Sequence, residues 1–490
     1  MVKVVIGDEI QLKLAEDRLT RSSLQSQVGL VIGKLSSKLD RGFVFDLVPT
    51  PPNDAGEPPC SIIEGSKKKN SSKTKSQTES SALFIDQDWV SEHARQVSRM
   101  LLGGMKVVGI YIWVNESLFK NSTITLCQTV KGVTEAASMM TDLEERLLIH
   151  ISYSPLRWTC RNCSLAAHIT SSSLRPCDFK MGKVLGSLQT FRCTYNFDVR
   201  LPIAHEDGLN AKRFADVLRD EIMIHAKELT SAKALINGKL MTEDEQCVSD
   251  DFHEVEFLLP LMQDKYVEAC NQKEVLGILL FSGSVCSLAY LNSKEPISQS
   301  LVDIKEDIIR SLQSRLEIMC DEADTKLESV IDGGQETNSH VPTEKPVAHF
   351  DLQEQRIQCN LSFPRRVLVP WLEGTYICDY VQSSETIEVL KDHCVELMSM
   401  EVPTDASEIL EPESEAPTVM MASTAKAFWD IATDCSSEAK PDKSLSNKTR
   451  ENANEKSAKP SDFQTVLAIL VLVISAILGI VLYFIQENGS

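Results

Sequence analysis

The strand predicted at residues 107–117 (VVGIYIWVNES) ends where a hydrolase would often place its reactive side chains. Its continuous apolar run predicts a buried strand, and a catalytic zinc there would need His, Asp, Glu or Cys as ligands. The sequence instead provides Ile112 and Val114, whose aliphatic side chains cannot bind a metal. No His or Asp occurs between Val107 and Thr125. The pattern therefore indicates a strand that serves the fold and carries no zinc chemistry.

Cysteines at metal-ligand spacing form the second candidate site. Cys160 and Cys163 make a C-x-x-C pair, a good half-site for zinc because two nearby thiolates can bind one ion. His168, Cys177 and Cys193 follow, but they do not form the second pair that a complete zinc site needs. Structural zinc, a redox dithiol and ordinary reduced cysteines are all open from the sequence, and we favour reduced cysteines.

Two arginines beside aromatic residues form the third candidate site. Arg365 and Arg366 precede an apolar run that ends at Trp371, and Asp379 follows in the next predicted strand. Arginine and tryptophan are enriched where proteins bind one another, whereas a buried arginine needs a carboxylate partner. The sequence leaves two alternatives: a partner-binding site at these four residues, or a buried ion pair with Asp379.

Other catalytic patterns are absent from the sequence. His393 and Cys394 are adjacent, but neighbouring residues of a helix do not face each other. No G-x-S-x-G motif occurs, and Gly103-Gly104 lacks the Lys-Ser/Thr of a phosphate-binding loop. The formal net charge of −20 argues against nucleic acid as a partner, because binding to phosphates needs clustered Lys and Arg.

Predicted strands and helices alternate along the chain, which indicates an α/β or α+β fold. We predict a first domain at residues 1–200, in which a strand and a helix precede the strands 28–35 and 43–48. The Pro-, Ser- and Lys-rich residues 53–81 predict a disordered insert. After it we expect a helix capped by Asp86 or Asp88, strands at 124–129 and 145–152, and a helix near 133–143.

A second α/β unit is predicted at residues 201–400. Its elements include strands at 254–259 and 275–291 and a long charged helix at 300–324, whose apolar residues recur at helical spacing. A polar linker at 325–346 separates this helix from two further strands and a final helix.

The C-terminal part predicts a membrane anchor. Val466–Ile485 is an uncharged apolar run of about 20 residues, the length that a helix needs to cross a bilayer. We predict a spanning helix at 463–485, a flexible tether at 401–462 and a luminal tail at 486–490. Such a tail-anchored chain keeps its N-terminal region in the cytosol. The residues that we assign to the membrane anchor are Val466, Leu470, Ile474, Ile477, Val481 and Ile485.

The order VGLVIGKL, FVFDLVPTPPN, helix, KVVGIYIWVNES resembles the MPN domain. That family includes zinc-dependent isopeptidases that remove ubiquitin-like modifiers. The resemblance implies a Glu near Ser26, His residues at Ile112 and Val114, a Pro at Asn115 and an Asp near Thr125, and none of these residue types is present. It therefore implies a degenerate MPN-like region, a pseudoenzyme with no metal or other cofactor.

The chain as a whole resembles the odorant response abnormal protein four family of tail-anchored endoplasmic-reticulum proteins. FPRRVLVPW (363–371), CDY (378–380) and the terminal span carry this resemblance. It implies a non-catalytic adaptor that recruits a ubiquitin-fold-modifier-specific protease through MPN-like pairing. It also implies support for the folding or trafficking of multi-pass receptors. The alternative is a cytosol-facing peptidase of the MPN class that uses residues without a recognised motif.

Overall fold

A capped helix follows the first strand and covers one side of the N-terminal sheet. The strand β1 (Val4–Asp8) ends at Asp8, whose carboxylate accepts hydrogen bonds from the backbone amides of Ile10 and Gln11. This cap starts the helix α1 (Glu9–Arg21), because the first amides of a helix have no partner within it. Leu12, Ala15 and Leu19 are buried on one face of α1. The predicted strand–helix start is therefore confirmed.

A computed structural model describes most of the chain up to residue 423. Its described residues are 2–36, 39–63, 81–137, 145–165, 173–204, 214–241, 252–260, 275–332, 360–382, 385–400, 409–413 and 418–423. Within them the fold is mixed α/β.

Seven strands close into a barrel in the order β1-β3-β2-β6-β7-β8-β9. The strands after β1 are β2 (Gln27–Ser36), β3 (Arg41–Pro49), β6 (Lys106–Trp113), β7 (Glu145–Tyr153), β8 (Leu156–Ser164) and β9 (Leu174–Gly182). β1 runs parallel to β3 and β9, and β6 runs parallel to β7. A Cβ atom at Gly109 would lie 1.9 Å from the carbonyl oxygen of Leu147, so only glycine permits the close approach of β6 and β7.

A hairpin and three helices surround the strands of the barrel. They are β4 (Cys60–Ile63), β5 (Ala82–Ile85), α2 (Gln87–Met100), α3 (Glu116–Asn121) and α4 (Thr123–Ala137). Asp86 caps α2, as predicted. The strand predicted at 124–129 is wrong, because these residues belong to α4. Leu126, Val130 and Val133 bury one face at helical spacing, and this packing overrides the strand preference of the Thr and Ile residues.

A second sheet has the order β12-β11-β13-β10-β14-β18-β15. Its strands are β10 (Leu188–Ala204), β11 (Lys233–Ile236), β12 (Lys239–Leu240), β13 (Phe252–Leu258), β14 (Val275–Asn292), β15 (Asn360–Ser362) and β18 (Thr418–Ser423). The helices α5 (Phe214–Ser231) and α6 (Ile297–Asp332) pack on it through a core that includes Phe191, Leu218 and Ile308. The remaining elements are the hairpin β16 (Arg365–Pro370) and β17 (Tyr376–Val381), followed by α7 (Ile387–Met398).

The barrel and the later elements share one hydrophobic core. This shared core joins Ile112 of β6 and Leu148 of β7 to Leu288 of β14, Val369 of β16 and Leu390 of α7. A separate α1-side core lies under α1. All described residues fall in one compact unit, Met1–Ser436. The described parts of the two regions predicted as separate domains therefore pack as one body.

Ion pairs add to the contact between the barrel and α6. Lys34 of β2 is only 6% exposed and lies 2.6 Å from the carboxylate of Asp303 and 3.6 Å from that of Glu295. Lys106 pairs with Glu306 at 2.7 Å. A buried lysine without its carboxylates would cost several kcal/mol, so α6 is held in one position against β2.

Three predicted unstructured segments are corrected where the structure describes them. The insert predicted at 53–81 contains β4, which pairs with β5, and the turn before it is closed by a hydrogen bond from the amide of Asn53 to the carbonyl of Glu57. The predicted linker 325–346 begins inside α6, which continues to Asp332. The predicted tether 401–462 contains β18, which lies between β14 and β15 because its backbone completes both ladders.

The predicted membrane anchor at 463–485, with Val466, Leu470, Ile474, Ile477, Val481 and Ile485, lies outside the described residues. So do the tail 486–490 and the tether after Ser423. Among the helices that are described, none combines the length and the apolar character needed to cross a membrane.

Candidate functional site

The end of β6 holds apolar side chains at the positions where the MPN resemblance implies zinc ligands. Ile112 and Val114 have no solvent exposure, and both belong to the shared core. Asn115 accepts a hydrogen bond from the amide of Leu118 at 2.8 Å and so caps α3. These residues position the chain after β6. The aliphatic side chains at the two His positions, Ile112 and Val114, have no atom that can bind a metal.

At the other two degenerate positions, Ser26 and Thr125 make local hydrogen bonds within the fold. Ser26 lies just before β2, and its side chain is in hydrogen-bonding contact with the thiol of Cys60. Thr125 lies in the first turns of α4, where its carbonyl accepts a hydrogen bond from the hydroxyl of Thr129. In the part of the chain that is described, no group of three or more His, Cys, Asp or Glu side chains is arranged to hold a metal.

One ionisable side chain near these positions was missed by the sequence analysis. His150 of β7 is directly opposite Ile112 and has no solvent exposure. Its Nε2 donates to the carbonyl of Val114 at 3.0 Å, and its ring stacks on Phe119 with 4.1 Å between centroids. Its Nδ1 lies 3.7 Å from a carboxylate oxygen of Glu116. The signal in the sequence was a single polar residue inside the apolar run LLIHI.

Burial lowers the pKa of His150, although its contacts with the Val114 carbonyl and with Glu116 act in the opposite direction. The guanidinium of Arg161, which lies over the Phe119 ring, lowers it further. The folded imidazole therefore stays neutral at a pH where the unfolded chain binds a proton. A neutral imidazole held by one carbonyl is a structural group, and one imidazole with one carboxylate does not complete a zinc site.

We expect the region 1–436 to lose stability as the pH falls below about 6.5, partly because His150 resists protonation in the folded state. The variant His150→Gln keeps a donor for Val114 and does not titrate. Urea unfolding at pH 7 and pH 5.5 should show a smaller loss for this variant, by up to about 1.4 kcal/mol per pH unit, the limit for one group. Equal losses in both proteins would contradict a buried neutral His150.

Of the three alternatives for Cys160 and Cys163, the zinc half-site does not fit the structure, because the two thiols lie on opposite faces of β8. Side chains alternate along a strand, so residues three apart point to opposite sides. Cys160 belongs to the α1-side core with Cys177, and Cys163 belongs to the shared core with Cys127. Cys193 lies on β10 in the core of the second sheet. His168 lies outside the described residues.

The arginine pair divides into one buried and one exposed side chain. Arg366 is 1% exposed and makes two parallel hydrogen bonds, of 2.8 and 2.7 Å, to the carboxylate of Asp307 on α6. It also donates to the Sγ atom of Cys378 at 3.3 Å. Arg365 is partly exposed and pairs with Glu411 at 2.8 Å. Arg366 therefore cannot contact a partner, which corrects its prediction as a partner-site residue.

Asp379 pairs with a histidine and not with Arg365 or Arg366, the partners considered from the sequence. Its carboxylate lies 2.9 Å from the Nδ1 atom of His393 on α7, and this hydrogen bond is the main reason that the pKa of His393 is raised. The alternative of a buried ion pair is thus realised with Asp307 in place of Asp379. Trp371 packs partly buried at the edge of the shared core. Arg365, Trp371 and Asp379 stay predicted partner residues.

Comparison with known proteins gives consistent matches along most of the chain. A family model described as "Odorant response abnormal 4-like" matches residues 29–409. The "Protein odr-4 homolog" of Xenopus laevis is 24% identical over 475 residues, which cover 91% of this chain and 93% of that protein. The homologue from Homo sapiens is 25% identical over 79% of this chain and 81% of its own length. The one from Dictyostelium discoideum is 24% identical over 79% and 78%.

Among solved structures, UfSP from C. elegans aligns over 81% of this chain and 57% of its own chain, with a TM-score of 0.36 and 9% identity. A similarity at this level is too weak to transfer a fold or a role. The sequence match is stronger evidence, since it covers the barrel from β2 onward, most of the second sheet and the β16–β17 hairpin. On that match, the chain belongs to the ODR4-like family.

Proposed function

We propose that this protein is a non-catalytic, tail-anchored adaptor of the endoplasmic-reticulum membrane. In this proposal the folded region faces the cytosol and recruits a ubiquitin-fold-modifier-specific protease. The protein also supports the folding or trafficking of multi-pass receptors. Membership of the ODR4-like family and the apolar run at 466–485 support the proposal.

The end of β6 is the observation that carries the non-catalytic part of the proposal. In the barrel, α2 and α4 pack beside β6, the strand at which the MPN resemblance implies zinc ligands. At the positions of its zinc ligands stand Ile112 and Val114, fully buried in the shared core. Restoring ligands there would require polar groups inside a close-packed core, at a cost of several kcal/mol. The barrel therefore favours a scaffold over a metallopeptidase.

Exposed apolar side chains near this end of the barrel support a protein-binding role. Leu24 is 50% exposed and Leu156 is 47% exposed. Trp113 links them: its indole Nε1 donates to the carbonyl of Leu24, and its ring lies 5.4 Å from that of Tyr153, which pairs with Leu156 in the β7–β8 turn. Neighbouring exposed apolar groups are typical of protein contacts. We place the contact with the protease at these residues.

The test is affinity purification of the tagged full-length protein from detergent-solubilised membranes, beside a chain that ends after Ser436. We expect the protease to co-purify with both chains, and only the full-length chain to sediment with membranes. The double variant Leu24→Ser, Leu156→Asp should lose the protease. Ile124→Asp, which changes an exposed apolar residue of α4, is the matched control and should keep it.

Two outcomes would contradict the proposal. Recovery of membrane cargo alone, with no protease on either chain, would leave a receptor-trafficking accessory without the recruiting role. Hydrolysis of a modifier conjugate by the purified 1–436 region would favour the peptidase alternative. The hydrolysis assay must include the double variant, so that a co-purified protease is distinguished from an activity of this chain.

A further inference from the structure

Two cysteines face each other across neighbouring strands of the barrel. Cys160 of β8 is directly opposite Cys177 of β9 in an antiparallel register. Opposite residues of such a pair point to the same face with Cβ atoms about 4.5–5.5 Å apart. Both side chains pack in the α1-side core, and their thiols are in hydrogen-bonding contact. A disulfide needs little more approach than this.

The two thiols differ in their access to solvent. Cys160 is 3% exposed, whereas Cys177 is only partly buried, and its thiol donates to the carbonyl of Val2 at 3.5 Å. The hydrogen bond from Cys160 lowers the pKa of Cys177, and the same contact, together with burial, raises the pKa of Cys160. Cys177 is therefore the thiol that an oxidant can reach and that ionises first.

We propose that Cys160 and Cys177 form an oxidisable dithiol, which hydroperoxides convert to a disulfide between β8 and β9. The Cys177 thiolate attacks one peroxide oxygen and the O–O bond breaks, which gives a sulfenic acid and hydroxide or an alkoxide. The Cys160 sulfur then attacks the Cys177 sulfur, its proton leaves with the hydroxyl as water, and the S–S bond forms. The two thiols lose two electrons, which reduce the peroxide. Cellular thiols reverse the reaction by exchange.

The bond would join β8 to β9. β9 pairs with β8 on one side and with β1 on the other, where it completes the closed barrel. A covalent link from β8 to β9 restricts the local separation of these two strands. We expect amide hydrogen exchange in β8 and β9 to slow by about tenfold after oxidation, and a thiol reductant to restore the original rate.

The protein contains a matched control for access. The thiols of Cys127 on α4 and Cys163 on β8 are also in hydrogen-bonding contact. Both residues are almost completely buried, at 0% and 1% exposure. Peroxide should therefore leave this second pair reduced at doses that oxidise the first, although the thiols touch in both pairs.

The experiment uses the full-length protein in detergent, treated with graded hydrogen peroxide, alkylated and digested with trypsin. Cys160 is released in the peptide 158–161 (WTCR), and Cys177 in the peptide 162–180, which also holds Cys163 because trypsin does not cut at Arg-Pro. We expect a cross-link between these two peptides that dithiothreitol removes. It should persist in the variant Cys163→Ser and disappear in Cys177→Ser. Oxidation of the partly exposed Cys320 thiol by the peroxide verifies that the dose is effective.

Three results would overturn the proposal. The first is no cross-link at doses that modify Cys320. The second is oxidation of Cys177 to sulfinic acid without a disulfide, which would show that Cys160 does not resolve the sulfenic acid. The third is a cross-link that Cys163→Ser abolishes. If Cys177→Ser does not fold, Cys177→Ala and Cys160→Ala provide the same comparison. This inference is independent of the adaptor role.

Discussion

A chain that ends after Glu401 is expected to fail to fold cooperatively, whereas a chain that ends after Ser436 should fold. The shorter chain lacks β18, so β15 loses the strand that it pairs with along Asn360–Ser362, and β14 loses one of its two neighbouring strands along Gly277–Ser282. It also lacks Glu413, whose carboxylate pairs with the completely buried guanidinium of Arg315. Leaving that charge unpaired costs about 3–5 kcal/mol, a large part of the 5–15 kcal/mol that stabilises a typical protein.

Thermal unfolding followed by circular dichroism measures this difference directly. The point variant Glu413→Gln in the 1–436 chain separates the lost charge from the lost strand. It should keep a cooperative transition, with a midpoint below that of the unsubstituted 1–436 chain. Glu411→Gln is the matched surface control. It breaks only the partly exposed pair with Arg365, worth about 0–1 kcal/mol, and should leave the midpoint almost unchanged. Equal midpoints for the chains ending at 401 and 436 would show that β18 adds nothing.

Arg366→Met should destabilise the 1–436 region by about 3–5 kcal/mol, because it leaves the carboxylate of Asp307 buried without its cation. Among the described residues, the hydroxyl of Ser287, which donates to Asp307 at 2.6 Å, would be its remaining side-chain partner. Removing both charges with Arg366→Met and Asp307→Leu should cost less than the sum of the two single changes, because the double variant leaves no unpaired charge in the core.

Urea unfolding of the four proteins gives this interaction energy as a double-mutant cycle. Arg365→Met provides the neighbouring control, and a loss of at most about 1 kcal/mol is expected because its pair is partly exposed. Similar losses for Arg365→Met and Arg366→Met would contradict the assignment of the buried pair. Additive losses in the cycle would mean that Arg366 and Asp307 contribute through packing and not through their mutual attraction.

Local patterns predicted the elements whose packing is local. The strands β2 and β3 followed from apolar runs beside a polar turn, and the start of α2 followed from the capping position of Asp86. Residues 124–129 were predicted as a strand because Thr and Ile favour strands. They form a helix because Leu126 and Val130 are buried on one face, and that burial depends on the rest of the fold. Alternation along β8 would have separated Cys160 from Cys163 had that strand been assigned.

The candidate sites depended on contacts that sequence does not contain. Arg366 finds its carboxylate at Asp307 on α6 and not at the nearby Asp379, since the choice depends on how β16 lies against that helix. His150 comes opposite Ile112 only through the register of two parallel strands. β18 was hidden because a short strand beside polar segments has no pattern of its own, and its partners β14 and β15 lie far before it in the chain.

The position of β18 changes how close a bound partner would stay to the bilayer. β18 belongs to the second sheet, although it lies in the first part of the predicted 401–462 tether. With the proposed anchor at 463–485, about 40 residues then remain between Ser423 and the membrane. A flexible coil of that length has an end-to-end distance of about 35 Å. Partners held within such a radius experience an effective concentration in the millimolar range. For a partner held beside the same anchor, a dissociation constant of about 1 μM would then give nearly complete occupancy, because the effective concentration is roughly a thousand times higher.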